Sequence, residues 1–186
     1  LGFVFHNCLE TEITLILRLV EGAYAPFVPT HSIGAGALVI NKHNQVLVIR
    51  EKIATGTGYK LPGGHIELDE DIHTAIEREV FEETGITAKF QQLVGFANKH
   101  PYRFGKSNIY FICRLEPITT QIEIQDTDEI ADACWVDLNT YIQDETNSHF
   151  NREMVKSLSN ANGLKTVELD FNQGANGKRE VLFADS

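Results

Sequence analysis

The chain has 186 residues, enough for one domain with a sizeable core and a small appendage. Hydrophobic residues make up 42%, which marks ordinary globular protein rather than disorder. A net charge of −10 and a pI of about 5.1 argue against a surface that coats nucleic acid, but allow a small phosphorylated partner if cations line its pocket. Cys8, Cys113 and Cys134 are odd in number and form no C-x-x-C pair, so a disulfide framework or zinc site is not expected. A reducing compartment, the cytoplasm, fits best. No apolar run approaches a membrane span, and no signal-peptide pattern occurs.

Residues 2–7 and 12–20 read as two strands of a hairpin, the second rich in β-formers from Ile13 to Val20. Because the chain opens at Leu1 directly on strand-like sequence, it is expected to be part of a longer protein. Pro26 and Pro29 make 21–31 a linker. Ile33–Ile40 and Gln45–Ile49 form an expected hairpin turning at 41–44. A polar loop at 51–58 leads through Tyr59-Lys60-Leu61-Pro62-Gly63-Gly64 to a helix from about Glu70 to Thr84, with Asp69 as N-cap and Gly85 as its end. Strands follow near 88–97, 108–115 and 132–137. Helical stretches are expected from Asp137 and over 146–158. A tail hairpin pairs 167–171 with 179–183 across a turn at 172–177.

On a helical wheel with Glu79 at 0°, Glu82 falls at about −60° and Glu83 at about +40°. Ile72, Ala75, Ile76 and Val80 fall at about 20°, −40°, 60° and 100°, on that same face. Three carboxylates thus share the side that apolar residues would bury, in the last two turns, where the helix dipole disfavours anions. Their i, i+3 and i+4 spacing adds mutual repulsion. A hard divalent cation, Mg²⁺ or Mn²⁺, offsets these costs, and Gly63-Gly64 can bring backbone atoms close to it. From the helix alone, a charged face paired with lysine or arginine remains open.

The longer pattern decides between them. Gly64, Glu70, Arg78-Glu79-Val80, Glu82-Glu83 and Gly85-Ile86 match G-x5-E-x7-R-E-U-x-E-E-x-G-U at every constrained position, U being aliphatic. A random window matches on the order of once in 10⁹. The segment resembles the Nudix box in full. The resemblance implies an α/β fold, the Nudix-type α/β/α sandwich with a mixed β-sheet, and a loop–helix–loop box. It assigns metal binding to Glu79, Glu82 and Glu83, with the Gly64 carbonyl as a further ligand. Glu70 and Arg78 are the supports that orient them, beside the terminating Gly85. It implies water attack on phosphorus in a nucleoside diphosphate linked to another group, with Mg²⁺ (or Mn²⁺) polarising the phosphate oxygens.

For the general base the candidates are Glu79, Glu82 and an acidic residue of a distant loop: Glu129, with Asp128 and Asp126 behind it. An acidic surface turn is the alternative for that loop.

Phe5-His6, 30–34, 104–107 and 113–115 further resemble the Nudix group carrying a small pre-Nudix domain, several members of which hydrolyse ADP-ribose or NADH. Ser32 departs from the arginine that relatives often carry there. Residues 1–30 are then the end of an N-terminal segment, 31–145 the Nudix domain, and 146–186 a C-terminal helix and hairpin packed on it. Lys60, Lys99, Arg103 and Lys106 are candidates for phosphate or ribose contact, and Tyr102 and Phe104 for stacking on a base. Solvated lysines and core aromatics are the alternative. His65 is a loop residue or a phosphate contact, and Trp135 belongs to the core. A nucleoside triphosphate pyrophosphohydrolase and a non-catalytic nucleotide-binding module are the competing readings of the whole. A small nucleotide is the expected partner, with no membrane and with a homodimer plausible from the edge strands.

Overall fold

In the computed structural model, residues 2–8, 11–25, 28–53, 58–168 and 179–184 are described. Every position from Gly34 to Val39 is buried, as expected of a strand covered on both faces. That strand, β3 (His31–Val39), follows an N-terminal pair, β1 (Val4–Cys8) and β2 (Ile13–Ile16). β4 (Gln45–Glu51), α1 (Ile72–Thr84), β5 (Ala88–Lys99), β6 (Ser107–Pro117) and β7 (Ile130–Asp137) come next. Then come α2 (Leu138–Gln143), α3 (His149–Leu158), β8 (Lys165–Thr166) and β9 (Leu182–Phe183).

β3 runs parallel to β6, and β5 runs antiparallel on the other side of β6, so the sheet order β3-β6-β5 is mixed. β4 pairs antiparallel with β7. Alternate side chains feed two cores. Ala35, Ala37, Val39 and Leu47 pack with Ile76 and Val80 of α1. Leu38, Val46 and Val48 pack with Tyr141, Met154 and Val155 from the α2–α3 side. With α1 on one face and α2 and α3 on the other, the α/β/α sandwich is in place.

The expected β3–β4 hairpin does not form. The two strands touch only at the Ile40–Val46 bridge before parting. The reason is the segment at 60–66, which fills the gap between them. Ala35 N donates to Gly64 O at 2.9 Å, and Ala37 N to Pro62 O at 2.8 Å. On the other side Ile49 and Lys60 exchange both backbone bonds at 2.9 Å. The box loop is therefore sheet-like, and it stitches the two groups of strands together.

α1 begins at Ile72 with Asp71 as N-cap, two residues after the expected start. Asp69 is instead at φ 63°, and Glu70 N donates to Glu67 O, so 67–70 is a turn. Gly85, at φ 71°, ends α1 by donating its N–H to Phe81 O, as expected. α2 follows its Asp137 cap, whereas α3 starts only at His149, capped by Ser148. Asn147, at which that helix was expected to be under way, holds the preceding turn: its Oδ1 accepts from Tyr59 N and its Nδ2 donates to Tyr141 O. β2 covers only part of 12–20, because the chain turns at Val20–Ala23. In the tail Lys165 pairs with Phe183 and Thr166 with Leu182, so pairing begins earlier than expected. The expected turn at 172–177 lies outside the described residues.

Candidate active site

α1 and the 60–70 loop bring the box together. Glu83 is 5% exposed, and its Oε2 accepts from Gly63 N at 2.7 Å. Burial pushes its carboxyl up to about 8, against the opposing pull of the Gly63 N–H and Lys60. Burial also raises Glu79, with Arg78 pulling the other way. A side chain at position 64 would place its Cβ 2.5 Å from Glu79 Oε1, so anything but glycine there would displace the Glu79 carboxylate.

Arg78 organises the other acids. Its Nε and Nη2 reach Glu70 Oε1 and Oε2, each at 2.9 Å, in a two-pronged pair. The bond to Arg78 holds the Glu70 carboxyl below its usual range. Arg78 Nη1 lies 3.0 Å from both Glu79 Oε1 and Glu82 Oε2.

The loop at 123–130 docks on the free carbonyls at the end of α1. Gln125 N and Asp126 N donate to Glu82 O, and Glu123 N to Thr84 O. Asp126 Oδ1 then accepts from Asp128 N and Glu129 N at 3.1 Å each. Asp126 thus shapes the turn, and Glu129 stands at the wall of a cavity of about 780 Å³. Gly63, Gly64, Lys60 and Glu51 line the same cavity, with Glu83 and Glu79 directly behind the two glycines. Lys60 is ion-paired to Glu51.

Lys99, His65, His100, Tyr102 and Arg103 form another part of the lining. Lys99 Nζ and Arg103 Cζ lie 5.5 and 5.9 Å from the Tyr102 ring centroid. Phe104 and Lys106, expected to meet substrate, are not brought there. Phe104 is 96% exposed at φ 57°, and Lys106 Nζ bonds to Pro29 O. Trp135 packs against the α1-side core while its Nε1 donates to Thr120 O. Glu51, Asn108, Phe150 and Asn151 line the cavity without having been singled out from the sequence. No motif marks them, because their place depends on how β4, β6 and α3 pack.

Among the described residues, no three His, Cys, Asp or Glu side chains already converge into a cage for a metal. The donor chemistry nevertheless fits a hard divalent cation. The carboxylates of Glu79 and Glu83 lie against Gly64 and Gly63, and burial raises the more enclosed of the two.

A mixed α/β/α sandwich carrying a loop–helix–loop of paired carboxylates defines the class. The Nudix domain model matches residues 30–158, and the chain belongs to the Nudix family. It is 35% identical over 171 residues to Nudix hydrolase 2 of Arabidopsis thaliana, covering 89% of this chain and 60% of that protein. It is 41% identical over 125 residues to nucleoside diphosphate-linked moiety X motif 6 of Xenopus laevis, covering 65% and 58%. Its counterpart in Homo sapiens is 35% identical over 162 residues, covering 85% and 51%. The chain therefore spans only 51–60% of the length of these curated relatives. A crystal structure of a MutT protein from Methanosarcina mazei Go1 shares the fold, with a TM-score of 0.60, 23% identity, and coverage of 72% of this chain and 96% of that one.

Proposed function

We propose that the protein hydrolyses a pyrophosphate bond in a nucleoside diphosphate linked to another moiety, ADP-ribose or NADH, using Mg²⁺ or Mn²⁺. The observation that carries this reading is the buried Glu83 beside Gly63 and Gly64 at the wall of the cavity. A carboxyl at that depth, with Glu79 next to it, is held charged at neutral pH only by a cation. The relatives' names, Nudix hydrolase 2 and nucleoside diphosphate-linked moiety X motif 6, support the substrate class.

Glu79, Glu82, Glu83 and the Gly64 carbonyl hold the metal. When bound, it polarises phosphate oxygens and lowers the pKa of water. Glu129 faces the cavity from the opposite loop and takes the proton of the attacking water. Lys60 and Arg103 draw the phosphates, and the Tyr102 ring offers a face to the base or sugar. Glu70 and Arg78 keep the carboxylates in place. The protein works in the reducing cytoplasm, where Cys8, Cys113 and Cys134 stay thiols. Among the described residues, no helix is long and apolar enough to cross a membrane.

Assay of the purified protein with Mg²⁺ against ADP-ribose, NADH and nucleoside triphosphates tests this. AMP released from the first two, and abolished by chelation, is the expected result. Turnover of triphosphates alone would replace the proposed substrate class.

A further inference from the structure

The first turn of α1 is not capped by the residue placed to do so. Asp71 stands at the N-cap in extended backbone, yet its side chain accepts none of the leading N–H groups, and no acid follows in the first turn. Those groups are met from the far end of the chain. Glu180 Oε2 accepts from Ile72 N at 2.7 Å, and Glu180 Oε1 accepts from His73 N at 3.1 Å. The same Oε1 lies 2.6 Å from His73 Nδ1, and the Glu180 side chain is only 8% exposed.

The fold delivers this carboxylate deliberately close. Val167 N donates to Val181 O beside the β8–β9 pair, and Leu182 packs into the core beneath α1. Upstream of β8, Leu164 and Leu93 exchange both backbone bonds at 2.8 Å, which ties this unit to β5.

We propose that Glu180 is a positioning residue for the catalytic carboxylates, its carboxylate fixing the start of α1 and, through it, the Glu70–Arg78–Glu79/Glu82 arrangement. The proposal rests on the metal-dependent reading above. Glu180 holds Ile72 and His73, only two and three residues after Glu70. Glu70 grips Arg78, and Arg78 in turn touches Glu79 and Glu82. If the first turn frays, the 67–70 turn loses its fixed pivot, and the two prongs on Arg78 no longer meet it in register. A negative charge at this end also complements the helix dipole, which the glutamates at the other end oppose. The segment carrying β9 is on this account part of the catalytic unit, although it lies beyond residue 158, where the family model ends.

The test compares the full chain with Glu180→Ala and Glu180→Gln, by three readouts. Amide hydrogen exchange at Ile72 and His73 reports the cap itself. It should rise at least about tenfold in the Ala variant and less in Gln, which keeps one oxygen acceptor. Mn²⁺ binding followed by electron paramagnetic resonance should weaken several-fold in Ala. In the assay, kcat should fall and the Mg²⁺ needed for half-activation should rise, with substrate KM nearly unchanged. Parental exchange rates in the Ala variant would overturn the cap. Faster exchange with parental Mn²⁺ affinity and kcat would overturn the positioning role and leave a purely structural cap. Failure of the parent protein to take up Mn²⁺ would instead remove the functional reading, and the positioning role with it, while exchange still measured the cap.

Discussion

Glu83 combines two demands that work against each other. Its carboxylate is almost fully buried, with one backbone N–H as hydrogen-bond donor, so its charge destabilises the fold unless a cation is near. Glu83→Gln keeps the acceptor for Gly63 N and removes the charge. In EDTA at pH 8 it should be more stable than the parent by about 1–3 kcal/mol, read from denaturant midpoints. With Mg²⁺ its kcat should fall on the order of a hundredfold or more. A variant no more stable than its parent would mean that the buried charge costs nothing. Glu70 shows the opposite behaviour, since its pairing with Arg78 lowers its folded pKa. A carboxylate with a lowered folded pKa adds stability above its unfolded value, and that stability is lost as pH falls through the folded value. Glu70→Ala should therefore cost about 1–2 kcal/mol at pH 7. The difference between variant and parent should shrink toward zero as the pH falls below the ordinary carboxylate range. A gap that persists at the acid end would show that Glu70 acts by packing instead.

The elements differ in how far their sequence announced them. β5, β6 and β7 lie within a few residues of expectation, because each carries apolar β-formers that pack in a core: Leu93 and Val94, Ile112 and Leu115, Trp135 and Val136. The box helix was legible for a different reason: its acids fall on its apolar face, a conflict that only a ligand or a buried ion pair resolves. The β3–β4 pairing was not legible. Local alternation predicts a hairpin, and only the tertiary insertion of 60–66 between the strands shows why they part. The start of α1 was missed by two residues because its cap, Glu180, is remote in sequence. The 99–106 loop was legible as a supply of cations but not in its aim: Lys99, Tyr102 and Arg103 face the cavity, whereas Phe104 and Lys106 do not. Lys60 already has Glu51, but Lys99 and Arg103 have no acidic partner among the described residues and flank one ring. Two cations against one ring at the cavity wall make that part of the lining positive and favour an anionic ligand there. Replacing both by alanine should raise KM about tenfold or more with kcat changed less than about twofold, since neither touches the metal acids. Equal losses in kcat and kcat/KM would place these residues at the reacting phosphate instead.

At the scale of the whole molecule, the sandwich and the N-terminal pair contribute unequally to the site. Among the described residues, β1 and β2 pair with each other and with no other strand. Their hairpin and the stretch after it leave Phe5, Leu19 and Tyr24 82%, 88% and 86% exposed, so they bury little against the domain. The anchoring of the domain's own start lies further on. Ser107 N donates to Thr30 O, Lys106 Nζ bonds to Pro29 O, and β3 then enters the sheet beside β6. A chain beginning at Val28 keeps all of these bonds and loses the hairpin with its exposed apolar surface. Its melting temperature should stay within about 2 °C of the parent, because removing largely exposed surface changes folding free energy by only a few tenths of a kcal/mol. Its kcat and KM should also be unchanged, since among the described residues none before Gly34 lines the cavity. A shortened chain that melts many degrees lower, or loses turnover while still folded, would show that residues 2–25 are part of the catalytic unit rather than an appendage to it.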